Sequence, residues 1–159
     1  MENFEKYAEY YDVFYQNKNY KKEAEVLRSL MTKLSIDEFS DILEIGCGTG
    51  KHLGYIADFY PKCFGVEPSK FMINRALPNV GKRIYNQSAE SLNLGKKFDF
   101  IYMLFHVFSY INNIDLFFNK LLEHTKHDAI ICMDFWQMTG VYFQKPEVRS
   151  QWIETGTTK

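Results

Sequence analysis

The 159 residues hold 19 Lys and Arg against 20 Asp and Glu, a net charge of −1, and 46% of them are hydrophobic. This suits one domain (1–159) with a sizeable core and lacks the basic footprint of a nucleic-acid binder. No apolar run nears the roughly 20 residues that span a bilayer, and the start Met1-Glu2-Asn3-Phe4-Glu5-Lys6 is no signal peptide, so the expectation is a cytoplasmic protein away from membranes.

Along the chain, strands and helices alternate. Ala24, Leu27, Leu30, Met31 and Leu34 recur at helical spacing and predict a helix from about Tyr20 to Leu34. A strand at 41–46 precedes a helix whose face carries Leu53, Ile56, Ala57 and Tyr60, with Pro61 to end it. A strand at 62–67 is followed by a helix opened by Pro68-Ser69 and running through Phe71, Met72 and Ala76. A short strand is expected at 82–86, a fourth at 98–104, a helix through Leu116, Phe117, Leu121 and Leu122, and a fifth strand at 129–133. Such alternation predicts an α/β fold, a doubly wound and mainly parallel sheet with helices on both faces. Cys47, Cys63 and Cys132 fall in or beside these strands without C-x-x-C spacing, so neither disulfide nor metal is expected.

Among these elements, Asp41-Ile42-Leu43-Glu44-Ile45-Gly46-Cys47-Gly48-Thr49-Gly50 stands out: an apolar strand with one acid opens into three alternate glycines. Glycines here let the backbone approach a nucleotide-like ligand at the strand's carboxyl end. A phosphate-cradling P-loop fails twice, at Ile45 and at His52. A dinucleotide fingerprint meets Lys51 where its third glycine belongs, although Glu67 suits a ribose-binding acid. The acid two residues before G-x-G-x-G resembles the first motif of the class I S-adenosylmethionine-dependent methyltransferases.

That resemblance implies a Rossmann-like fold, S-adenosylmethionine as cofactor and S-adenosylhomocysteine as product. It implies that Gly46, Cys47, Gly48 and Gly50 line the methionine end, with Glu44 orienting the loop, meeting the ammonium through water, or capping the turn. Glu67, followed by Pro68, is implied to accept the ribose hydroxyls, and Gln87-Ser88-Ala89-Glu90 to border the adenine. Ser88 stands there where an Asp is common. Leu104-Phe105-His106-Val107-Phe108-Ser109-Tyr110 resembles the fourth motif, between cofactor and acceptor; Leu104 then touches cofactor, while His106 and Tyr110 are the polar candidates for chemistry.

The aromatic-rich segment 7–15 is similar to the lid of small-molecule methyltransferases, in which tyrosines close over the sulfonium, whose positive charge suits ring faces. Tyr11 and Tyr15, four apart, would share a helix face, one lining the cleft and the other packing, with Tyr11 implied at the cofactor and Tyr15 at the chemistry. The alternative is an amphipathic helix packing its rings on the core. The fourth motif has no Asn or Asp before Pro-Pro, which favours a small-molecule acceptor over a nucleic acid or protein amide. Asp134-Phe135-Trp136 and Pro146-Glu147-Val148-Arg149 resemble the corresponding stretch of amino-sugar N-methyltransferases. Residues 1–35 are thus expected to form lid and flanking helix, 41–135 the cofactor-binding core, and 136–159 an incomplete C-terminal segment whose exposed strand edge a homodimer could cover. Two alternatives stay open: a protein that binds the cofactor without transfer, and an NAD-dependent oxidoreductase.

Overall fold

The computed structural model describes residues 15–135. Five strands form one sheet in the order β3-β2-β1-β4-β5, all pairs parallel. They are β1 (Ile42–Ile45), β2 (Cys63–Val66), β3 (Ile84–Tyr85), β4 (Phe98–Met103) and β5 (Thr125–Met133). The helices are α1 (Tyr20–Lys33), α2 (Lys51–Ala57), α3 (Lys70–Ile73), α4 (Pro78–Gly81) and α5 (Ile114–Glu123).

Burial on both faces explains why β1 reads as an unbroken apolar run with one acid. One core packs Ala24, Leu27 and Met31 of α1 and Leu53 and Ile56 of α2 against Ile42, Phe100 and Tyr102. The other packs Phe117 and Leu121 of α5 against Leu43, Ile45, Ile101 and Met103. Helices therefore lie on both faces, as expected. The α1 stripe is Tyr20, Ala24, Leu27 and Met31, with Leu30 and Leu34 left exposed. Asn19 caps α1 by accepting from the Lys22 amide, and Asn113 caps α5 through the Leu116 amide.

Several boundaries differ from expectation. Helix α2 stops at Ala57, so turn residues and not Pro61 end it, and α3 stops at Ile73, short of Ala76. The following α4 begins on Pro78, a residue preset for a first helical turn. Strand β3 shrinks to two residues, and β5 starts four residues early at Thr125. Its early part is irregular: Phe98 pairs with Thr125 but Phe100 with Ile130, so Asp128, at φ 62°, lies in a bulge. Lys126 there reaches Asp41 at 2.7 Å and Asp99 at 2.8 Å, at the amino ends of β1 and β4. The order reverses at β1, whose neighbours are β2 and β4, which puts the expected ligand crevice at the carboxyl ends of these three strands.

Candidate active site

Beyond β1 the chain turns through 46–50. The amides of Gly46 and Cys47 donate to the Val66 carbonyl, and the Gly50 amide donates to that of Cys47. A Cβ on Gly46 would stand 2.6 Å from Val107, so the segment after β4 packs directly on the first glycine. Gly48 is different: its φ is +55°, and an added Cβ would meet nothing within 4 Å. Open space therefore lies before the middle glycine, where backbone can approach a ligand.

Glu67, the residue after β2, holds that turn. Its Oε2 accepts from the Gly48 amide at 2.9 Å and its Oε1 from the Ser69 amide at 2.9 Å. Burial pushes the Glu67 carboxyl up, while the two amide bonds oppose that shift. Asn86 donates its side-chain amide to the carbonyls of Glu67 and Pro68, tying the end of β3 to this turn.

Glu44 is buried within the sheet and accepts from the Tyr102 hydroxyl at 3.0 Å. Burial, opposed by that bond, raises its carboxyl to about 8. His52 Nδ1 stands 3.8 Å from Glu44, and its Nε2 meets Glu23 of α1 at 2.7 Å. Burial lowers the His52 pKa against the pull of Glu23. Glu23 also pairs with Lys18 at 3.2 Å. Burial of Cys47 pushes its thiol well above the usual range, which leaves it a small apolar group of the core rather than a nucleophile.

After β3, Ser88 caps a 3₁₀ turn (Ala89–Ser91), and its hydroxyl shares a reciprocal capping box with Ser91. Ala89 packs into the α5-side core. Glu90 reaches across to accept from the amides of Asn112 and Asn113 at 3.0 and 2.7 Å.

The segment after β4 carries two successive positive φ values, 67° at Phe105 and 61° at His106. Left-handed backbone costs a residue with a side chain about 1–2 kcal/mol. Asp134, just past β5, offsets that cost by accepting from the Phe105 and His106 amides, both at 2.8 Å. A 3₁₀ turn (Val107–Tyr110) follows, with Tyr110 exposed. Tyr15 meets the Phe105 ring edge-on at 4.8 Å, and Lys18 Nζ lies 3.5 Å from the same ring centroid.

The structure thus gathers the glycine turn, Glu67-Pro68, Leu104 and His106 at the ends of β1, β2 and β4, and seats Tyr15 on the segment after β4. Tyr11 and the C-terminal segment lie outside the described residues. The sequence placed Glu90 in the adenine-bordering segment and Phe105, Val107 and Asp134 in motif stretches but gave none of them these contacts, and it gave Lys18 no role; only the position of Asp134 at a strand end could have flagged its part.

The family described as Methyltransferase domain matches residues 15–154, and this chain belongs to it. Its parallel Rossmann-like sheet is the fold of the class I S-adenosylmethionine-dependent methyltransferases. It is 26% identical over 135 residues to a dTDP-3-amino-3,6-dideoxy-α-D-glucopyranose N,N-dimethyltransferase of Streptomyces fradiae, covering 81% of this chain and 52% of that one. It is 32% identical over 133 residues to a malonyl-[acyl-carrier protein] O-methyltransferase of Calditerrivibrio nitroreducens, covering 82% and 51%. Among solved structures, the S-adenosylmethionine-bound amino pentose methyltransferase CalS10 of Micromonospora echinaspora superposes with a TM-score of 0.70 at 24% identity, covering 80% of this chain and 56% of that one. The chain spans about half the length of the curated relatives it matches. No helix among the described residues is long and apolar enough to cross a membrane.

Proposed function

We propose that this chain binds S-adenosylmethionine at the carboxyl ends of β1, β2 and β4 and transfers its methyl group to a nitrogen or oxygen of a small molecule. The observation that carries the reading is Glu67 fixing the Gly48 amide beside open space. That donor set fits the cofactor. Each Glu67 oxygen holds one amide and keeps a further lone pair for a ribose hydroxyl. The turn of Gly46, Cys47, Gly48 and Gly50, backed by Glu44, takes the methionine end. The backbone at Ser88 and Ala89 borders the adenine, since the Ser88 hydroxyl serves its capping box. Leu104 lines the inner wall, and Tyr15, seated on Phe105, supplies the lid ring for the cation.

When bound, the cofactor supplies a methyl group already activated on a sulfonium. The protein's task is then chiefly alignment and exclusion of water. An amine acceptor needs only a weak proton acceptor such as water, whereas a hydroxyl acceptor needs a base, and His106 beside Tyr110 is the group we assign. A nitrogen acceptor is supported by the sugar N,N-dimethyltransferase relative, an oxygen acceptor by the O-methyltransferase relative.

The test is transfer of labelled methyl from S-adenosylmethionine to dTDP-3-amino-3,6-dideoxyglucose and to malonyl-loaded carrier protein. Product on either supports the reading, and His106→Ala should abolish only an oxygen transfer. The second reading is a protein that binds cofactor at the same turn without transfer. It expects S-adenosylhomocysteine affinity and no product. Thiols buried at Cys47 and Cys63 suit a reducing compartment, and we place the protein in the cytoplasm. Exposed Ile114, Leu122 and Phe135 support a homodimer, which a monomer on gel filtration at high concentration would exclude.

A further inference from the structure

We propose that Asp134 is a positioning residue that fixes the wall between cofactor and acceptor and, through Phe105, the seat of the turn 15–18. The proposal rests on the methyl-transfer reading only in calling that wall the acceptor side. Three observations join. Asp134 accepts from two successive amides, those of Phe105 and His106, at 2.8 Å each. Both residues sit at positive φ, 67° and 61°, a conformation uncommon for any residue with a side chain. The Phe105 ring then receives both ends of the turn 15–18: Tyr15 edge-on at 4.8 Å and the Lys18 ammonium at 3.5 Å. The turn itself is closed by the Lys18 amide donating to the Tyr15 carbonyl.

The geometry makes Asp134 a local strut rather than a general prop. Its own amide donates to the Met103 carbonyl, so it is anchored to the end of β4 while its carboxylate reaches forward over the two residues beyond that strand. The far end of the same segment is held separately, by Glu90 on the amides of Asn112 and Asn113, and its middle by Val107 against Gly46. Loss of the Asp134 carboxylate should therefore release only residues 105 and 106, and with them Tyr15 and Lys18, and leave the rest of the segment in place.

The test follows amide exchange and resonance positions in the ¹⁵N-labelled 159-residue chain, for wild type, Asp134→Ala, Asp134→Asn, His106→Gly and Asp134→Ala with His106→Gly. In Asp134→Ala, protection at the Phe105 and His106 amides should fall about tenfold or more, and Tyr15 and Lys18 should shift, with β1 and β4 protected as before. Asp134→Asn keeps one carbonyl oxygen and should lose protection at one amide only; it also carries the test where the alanine variant does not fold. Because glycine adopts positive φ without help, His106→Gly should bring Tyr15 and Lys18 part of the way back towards their positions in the His106→Gly single variant. Unchanged exchange at both amides, unmoved Tyr15 and Lys18, or no recovery with glycine each overturns the proposal. S-adenosylhomocysteine titrated into the same samples should bind Asp134→Asn within about threefold of wild type, since Glu67 and Gly48 are untouched. A larger loss would make Asp134 a cofactor contact and overturn the positioning role, whereas failure of the wild type itself to bind would remove the methyltransferase reading and leave the exchange result to decide this one.

Discussion

The Glu67 carboxylate accepts the Gly48 amide at 2.9 Å, so the acid after β2 holds the middle glycine of the turn after β1. Glu67→Ala removes a cofactor acceptor and also leaves the Gly48 and Ser69 amides without their carboxylate. Binding of S-adenosylhomocysteine should weaken at least about thirtyfold, and stability should fall by roughly 1–3 kcal/mol. Calorimetric titration and urea denaturation read the two separately. A variant that binds as wild type does would remove Glu67 from the site.

Gly46 is squeezed from one side. A Cβ there would meet Val107 at 2.6 Å in a backbone at φ +70°. Gly46→Ala should cost about 1–2 kcal/mol for the backbone and a further 1–3 kcal/mol for overpacking. Adding Val107→Ala should recover only the second part, and full recovery in denaturant melts would show that the backbone conformation carries no strain.

Glu44 predicts a pH dependence of stability. Burial raises its folded pKa from an ordinary 4.5 to about 8, so the folded state keeps a proton that the unfolded chain has released. Its contribution is complete below about pH 4.5 and is lost as pH rises through about 8. Glu44→Gln holds a neutral group in the same place. At pH 8.5 it should melt above wild type, by a difference on the order of a few kcal/mol, and at pH 4.5 the two should nearly coincide. Equal differences at both pH values would refute the buried, protonated Glu44.

Phe117 is fully buried against Phe108 and Phe118, with ring centroids 6.0 and 5.1 Å away. Phe117→Ala should cost about 3–5 kcal/mol. By contrast, Lys126→Met should change stability by less than about 1 kcal/mol, because that ammonium is substantially exposed in its contacts with Asp41 and Asp99. Denaturant midpoints compare the two directly.

What the sequence made legible is what local pattern encodes. The strand Ile42–Ile45 entering three glycines, and the 3.6-residue spacing of Ala24, Leu27 and Met31, each specify an element within a short window. The parallel sheet and the position of Glu67 at a strand end follow from the alternation of elements, whereas the strand order does not. Strand β5 was harder to delimit because Lys126, His127 and Asp128 are polar and pass through a bulge. Asp134 on Phe105, Glu90 on Asn113 and His52 on Glu23 bridge 20 to 30 residues of chain, and a carboxylate that binds a distant backbone amide or imidazole leaves no periodicity behind. The left-handed pair Phe105 and His106 was equally hidden, since no glycine marks either position.

The central claim is that the turn held by Glu67 receives S-adenosylmethionine. Its most direct test is calorimetric titration of the wild-type chain with S-adenosylhomocysteine, beside NAD, with thermal melts on the same samples. Saturable one-site binding of S-adenosylhomocysteine with a raised melting temperature, and none with NAD, is the predicted result. No heat and no shift with S-adenosylhomocysteine, or binding of NAD alone, would contradict it.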